Sequence, residues 1–236
     1  MSQAPSWCSF VGVTCGTNSA SANYRRVTDV YLQSMSLQGT LPVFRHLGEM
    51  TNLNVGNNRL GGTLPSSLGS LTKLQLLTFT NNQLIGTIPS TVGDLTQLEL
   101  LSLDGNQLVG SIPSTIGNLL RLNGLNLGQN KLIGSIPSIF SGLASLRFLR
   151  FTDNQLSGTI PSLNVNSLNF VLLDYNYLTT GSLAMVPEST FSLYTLGRGS
   201  IFLNENCLRF QHPYASSMNA VVNPTRCVGK QVMLLF

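Results

Sequence analysis

From Leu74 onward the large apolar residues fall at Leu74, Leu77, Phe79, Leu84, Ile88, Val92 and Leu95, with Asn82, Gly86 and Pro89 set between them. The frame restarts at Leu98, Leu122 and Leu146, 24 residues apart each time. NNQLIGTIPSTVGDLTQL, starting at Asn81, thus returns as GNQLVGSIPSTIGNLLRL, starting at Gly105. Upstream the frame fits Met50 and, more loosely, Val27. Downstream it slips to Leu168, and a degenerate unit near position 198 carries Ile201, Leu203, Asn206 and Leu208. Helical heptads do not tolerate a Pro in every unit, and a β-sandwich would show longer alternating runs joined by Asn-Gly or Asp-Gly hairpins. The spacing Leu77-x-Phe79 predicts a very short strand with both side chains on one face. Strands of successive units then stack in parallel at about 4.8 Å.

Each remaining fixed position has a physical reason. Asn58, Asn82, Asn106, Asn130, Asn154 and Asn176 follow the strand, where the chain turns inward and leaves backbone groups to be satisfied. An amide both donates and accepts, so a stacked Asn ladder suits that place. Gly62, Gly86, Gly110, Gly134 and Gly158 allow a crowded turn or a positive φ. Pro65, Pro89, Pro113, Pro137 and Pro161 belong on the outer side, where no ladder donor is needed. The residues after each Pro, such as SSLGSL, predict a short 3₁₀ or α turn. One unit has too little core to fold alone, so stability must come from stacking on neighbours.

L-x-x-L-x-L-x-x-N-x-L is the leucine-rich repeat signature. Its extension in NNQLIGTIP, GNQLVGSIP, QNKLIGSIP and DNQLSGTIP resembles the plant-type leucine-rich repeat family over about Val27 to Leu208. The resemblance implies a leucine-rich repeat solenoid of the α/β class: a right-handed coil of short parallel strands and 3₁₀ or short helical turns. It would hold about eight repeats of roughly 22–30 residues, with a second small sheet and cysteine caps. It also implies an extracellular role, as in receptor-kinase ectodomains, receptor-like proteins and inhibitors of microbial wall-degrading enzymes, with ligand bound on the concave face. SWCSFVGVTC resembles the family's N-terminal cap, although Trp7 precedes the first Cys, and this implies a Cys8–Cys15 bond. Cys207 and Cys227 lie farther apart than the cysteines of the family's C-terminal caps; they are expected to pair, with free buried thiols as the alternative. The expected organisation is a cap over 1–26, repeats over 27–206, and a cap and tail over 207–236.

Composition narrows the partners. Charged residues are 9% of the 236, and the net charge is +4. The 13 basic residues stand singly or as Arg25-Arg26, with no run to track a phosphate backbone, so no nucleic-acid partner is expected. No apolar run approaches the roughly 20 residues of a membrane span. The N-terminus lacks the apolar stretch of a signal peptide. Even-numbered cysteines at the two ends argue for an oxidising compartment, so the expectation is a secreted or cell-surface protein whose leader is missing from this chain, rather than a cytoplasmic one. No N-x-S/T sequon occurs.

No catalytic constellation is found, and neither an enzyme nor a cofactor or metal is expected. His46 and His212 lie near opposite ends of the array. Asp104, Asp153 and Asp174 are expected to be solvated strand-end carboxylates, with calcium binding or acid–base work as the alternative. Residues alternating with the framework leucines should project from the strand face. In the early units these are small and polar. The late units gather Phe148, Arg150, Phe170, Leu172 and Tyr175, flanked by Asp153 and Asp174, a composition enriched in binding hot spots. The alternative for the two Phe is packing on the solenoid flank beside Leu76 and Leu100. The expected function is recognition of a protein or peptide, of unread identity, by a monomer that associates further, if at all, on binding ligand. The alternatives are the ligand-binding fragment of a receptor kinase and a structural surface or wall spacer.

Overall fold

The computed structural model describes residues 6–17, 25–161, 163, 168–179, 200–202 and 233–234. Its main sheet has ten strands. Eight run parallel, one per unit: Arg25–Tyr31, Asn52–Asn54, Leu76–Thr78, Leu100–Ser102, Gly124–Asn126, Phe148–Arg150, Phe170–Leu172 and Ser200–Phe202. Antiparallel strands close the two ends, Val13–Thr17 on Arg25–Tyr31 and Met233–Leu234 on Ser200–Phe202. The parallel register does not slip: Leu53, Leu77, Leu101, Leu125, Leu149, Val171 and Ile201 lie side by side. A slip of one residue would turn every framework side chain outward, so burial of this face fixes the register.

The fold is a leucine-rich repeat solenoid. In the unit that begins at Leu74 all seven framework side chains are between 0 and 4% exposed. Each Pro from Pro65 to Pro137 directly precedes a 3₁₀ helix: Ser66–Ser70, Ser90–Asp94, Ser114–Asn118 and Ser138–Gly142. The prolines hold φ between −61° and −74° and extended ψ, which delivers the chain to the helix without a donor to satisfy. Between strand and helix lies a second parallel sheet of Val109–Gly110, Lys131–Gly134, Gln155–Thr159 and Tyr177–Thr179. Gly86 enters this turn at φ 77°, and a Cβ there would sit 2.9 Å from the Thr63 methyl, so both conformation and space require glycine.

The asparagine column carries the inward turn. Asn106 donates from Nδ2 to the carbonyls of Phe79 (2.9 Å), Leu103 (3.0 Å) and Asp104 (3.3 Å), and its Oδ1 accepts from the Leu84 amide at 3.0 Å. Asn82, Asn130, Asn154 and Asn176 are buried and bond in the same way. The amides do not bond one another: each ties its own turn to the preceding unit. At the N-terminal end Met35 stands where a ladder Asn would, and Asn58 closes the column by accepting from the Met35 and Leu37 amides. Cys8 and Cys15 form a disulfide beside the closing hairpin. Cys207, Cys227, His212, Asn206 and Leu208 lie outside the described residues.

Candidate concave-face binding site

Strand alternation exposes one face of the main sheet and builds it from columns. The first runs Asp29, Asn52, Leu76, Leu100, Gly124, Phe148 and Phe170. The second runs Tyr31, Asn54, Thr78, Ser102, Asn126, Arg150 and Leu172. Beyond the strand, the residue before each ladder Asn is left-handed: Asn57, Asn81, Gly105, Gln129, Asp153 and Tyr175 have φ between 50° and 66°. Asn and Gly tolerate that conformation, whereas a bulky Tyr does so at a cost.

A further column lies between these, and its burial escapes the sequence reading: Gly56, Thr80, Asp104, Gly128, Thr152 and Asp174. Asp104 is not a solvated carboxylate. It is 6% exposed and accepts from the Ser102 hydroxyl at 2.8 Å, and Ser102, expected to project into solvent, is itself buried. Close stacking of units buries Gly56, Asp104, Gly128 and Thr152 in this column and half-buries Thr80 and Asp174. Alternation places this column on the same outward face as Ser102, so nothing local in the sequence signals its burial.

The late units bring the expected aromatic and charged residues onto adjacent strands. Phe148 pairs with Phe170, and Arg150 with Leu172. The Phe148 and Phe170 rings are 6.4 Å apart, tilted at 57°. Phe148 is half-buried, as are Leu76 and Leu100 in the same column, whereas Phe170 is 50% and Tyr175 40% exposed. Arg150 donates from Nε to the Thr152 hydroxyl at 3.0 Å. Asp153 is exposed. Asp174 is half-buried, and its Oδ1 is shut from solvent with no hydrogen-bond partner among the described residues. Burial raises the Asp174 pKa; its own backbone amide and Arg150 oppose this, and the Asp153 charge adds to it.

The opposite end contrasts with this. Asp29 accepts from Asn52 Nδ2 at 2.6 Å and from the Thr51 and Thr28 hydroxyls at 2.8 Å each. Burial alone would raise its pKa, but these three bonds outweigh burial and hold the carboxyl below its ordinary value. Among the described residues no group of three or more His, Cys, Asp or Glu is placed to hold a metal ion, and no helix is long and apolar enough to cross a membrane. His46 is exposed.

The leucine-rich repeat family models match residues 48–108, 121–143 and 145–166. The solved ectodomain of the receptor kinase SOBIR1 from Arabidopsis thaliana is 31% identical, with a TM-score of 0.58, over 62% of this chain and 83% of that one. The chain belongs to the plant-type leucine-rich repeat family. Another plant-type repeat protein, the peptide hormone receptor RGFR1 solved in complex with RGF2, is 35% identical with a TM-score of 0.59, over 60% of this chain and 23% of its own. A curated relative, the LRR receptor-like serine/threonine-protein kinase RGI3 of Arabidopsis thaliana, is 39% identical over 72 residues, 30% of this chain and 6% of that protein. This leucine-rich repeat chain therefore spans only a small part of those two receptors.

Proposed function

We propose that the chain is a non-enzymatic recognition module on the extracellular side of a cell. It binds a protein or peptide segment on the late concave face through Phe148, Arg150, Asp153, Phe170, Leu172, Asp174 and Tyr175. One observation carries this reading: at one end of a mostly small and polar face, the half-buried Phe148 meets the exposed Phe170 on the next strand, in the same pair of strands that sets Arg150 beside Leu172. Aromatic and Arg side chains are enriched among the residues that anchor interfaces, and an aromatic ring on a rigid sheet has few rotamers to lose on binding. The likeness to RGFR1, a peptide hormone receptor, supports a peptide as the ligand class. The Cys8–Cys15 disulfide supports an oxidising compartment.

The test is selection of a displayed peptide library on the secreted chain, followed by affinity measurement on variants. Arg150→Ala and Tyr175→Ala should each cost more than about 1 kcal/mol of binding, while Thr78→Ala costs little. Loss of binding in Thr78→Ala, with Arg150→Ala and Tyr175→Ala silent, would move the site to the early units.

A further inference from the structure

In four units a second-column side chain bonds the residue two positions on. Asn54 and Asn126 accept from the Gly56 and Gly128 amides, Ser102 donates to Asp104, and Arg150 donates to Thr152. The first three are short side chains, and Arg150 is not. Its bond to Thr152 takes Nε alone, at 3.0 Å. A guanidinium carries five N–H donors, so four remain on the two terminal nitrogens. Among the described residues none of those four has a hydrogen-bond or ion-pair partner. Asn126 and Leu172, the neighbours of Arg150 on the flanking strands, do not bond it.

The group that holds the guanidinium is buried. Thr152 is 4% exposed, and its hydroxyl makes no other bond among the described residues. Room for the pair comes from Gly128 of the preceding unit. A Cβ there would lie 3.0 Å from the Thr152 hydroxyl and 3.2 Å from Arg150 Nε, so any larger residue crowds both. Gly56 and Thr80 repeat this Gly–Thr pair three units earlier, but there the second column offers Thr78 and no cation. A free Arg side chain loses much rotamer freedom when a ligand orders it. A bond already made within the fold removes part of that cost before the ligand arrives.

We infer that Thr152 is a positioning residue of the concave site: it holds Arg150 by Nε and so keeps the terminal nitrogens ordered for a ligand, while Gly128 keeps the space for the pair. The inference rests on the proposed peptide site and names how one of its anchors is prepared. Thr152 is too buried to touch the ligand and acts through Arg150. The group that the ordered fork selects is a planar oxygen acceptor, a carboxylate or a main-chain carbonyl, which a guanidinium meets edge-on.

The experiment takes peptides selected from a phage-displayed library on the wild-type chain and measures their affinity for full-length variants. Arg150→Ala should weaken binding about fivefold or more. Thr152→Val keeps the side-chain shape without the hydroxyl and should weaken binding about threefold to tenfold. Thr152→Ser should restore wild-type affinity, and Gly128→Ala should behave as Thr152→Val does. Thr80→Val is the control and should leave binding unchanged. In an Arg150→Ala background Thr152→Val should cost nothing further, because it acts through Arg150. Without any peptide, the Arg150 Nε–H proton seen by NMR should exchange slowly with water in wild type and Thr152→Ser, and fast in Thr152→Val. Replacing the peptide's carboxylates by amides separates the two acceptors, since it weakens binding only where a carboxylate is read. Full affinity in Thr152→Val beside a loss in Arg150→Ala would overturn the role of Thr152 and leave the peptide site standing. So would equal Nε–H exchange in wild type and Thr152→Val, or a Thr152→Val loss that persists without Arg150. Failure to select any peptide sensitive to Arg150→Ala or Phe170→Ala would overturn both readings.

Discussion

The early and late halves of the concave face are built on one framework and differ in what they leave unfinished. From Asp29 to Asn126 the face is mostly small and polar, and its polar groups largely bond one another: Asp29 has three donors, Ser102 holds Asp104, and Asn81 bonds Asn57. From Phe148 to Tyr175 it presents exposed rings, a strained Tyr and a carboxylate oxygen without a partner among the described residues. Beneath both halves the framework is equally buried: Leu77 and Leu149 are each 0% exposed. Stability is met in the same way along the array, so the late residues are not explained by folding. Departure from self-satisfaction is therefore the physical mark of the proposed site.

The sharpest way to break that distinction compares two aromatic residues of adjacent late units. Phe151 is fully buried and meets Phe140 edge-on, whereas Phe170 stands half in solvent. Phe151→Ala should destabilise the fold by about 3–5 kcal/mol. Phe170→Ala should cost less than about 1 kcal/mol, since exposed side chains contribute little. Denaturant titration of the two variants reads the difference. Comparable losses would make Phe170 a packing residue and remove the aromatic anchor.

A step down in size, Asn106→Ala strips a buried turn of its donor and acceptor and should cost about 1–3 kcal/mol. Its exposed neighbour Gln107→Ala should stay within about 0.5 kcal/mol. Equal effects would mean that the late and early faces are being compared in the wrong frame.

The framework was legible in the sequence because repetition displays it: a Leu, Asn, Gly or Pro returning every 24 residues can only be a position the geometry requires. The faces were less legible, for separable reasons. The left-handed column is readable at Asn57, Asn81 and Gly105, which favour that conformation, but not at Gln129, Asp153 or Tyr175, where tertiary context imposes it. The burial of Asp104 comes from stacked neighbours, which a local reading does not see. The unbonded oxygen of Asp174 was present as a contrast, SLD at 102–104 against LLD at 172–174, but it acquires meaning only once the bond from Ser102 is known.

Tyr175 offers a smaller test of the same contrast. Left-handed backbone costs an ordinary L-residue roughly 1–2 kcal/mol, and Asn relieves part of that by bonding locally. Tyr175→Asn should therefore raise stability by up to about 1 kcal/mol while weakening ligand binding. The reverse change in the early half, Asn81→Tyr, should lower stability by a similar amount and also lose the bond to Asn57. A Tyr175→Asn variant that is less stable than wild type would show that the ring packs rather than waits.

The smallest effect, and the one that reads the two ends directly, is the response of Asp29 and Asp174 to pH. The Asp29 pKa is lowered in the fold, because the bonds from Asn52, Thr51 and Thr28 outweigh burial. Its contribution is present above the unfolded value of about 3.9 and is lost as pH falls through the lower, folded value. The Asp174 pKa is raised, first by burial and then by the Asp153 charge, against its own amide and Arg150. A raised carboxyl pKa works in the opposite sense: the protonated form is favoured in the fold, and that advantage is lost as pH rises from the unfolded value through the folded one. At neutral pH Asp29→Asn should thus lower the melting temperature and Asp174→Asn should raise it slightly. Both differences should shrink when the melts are repeated in acid, where both carboxyls are protonated. Both groups are partly exposed, so the shifts should be small and the opposite signs are the diagnostic. If Asp174→Asn melts lower than wild type without ligand, the carboxylate already has its partner within the fold, and the late face is as self-contained as the early one.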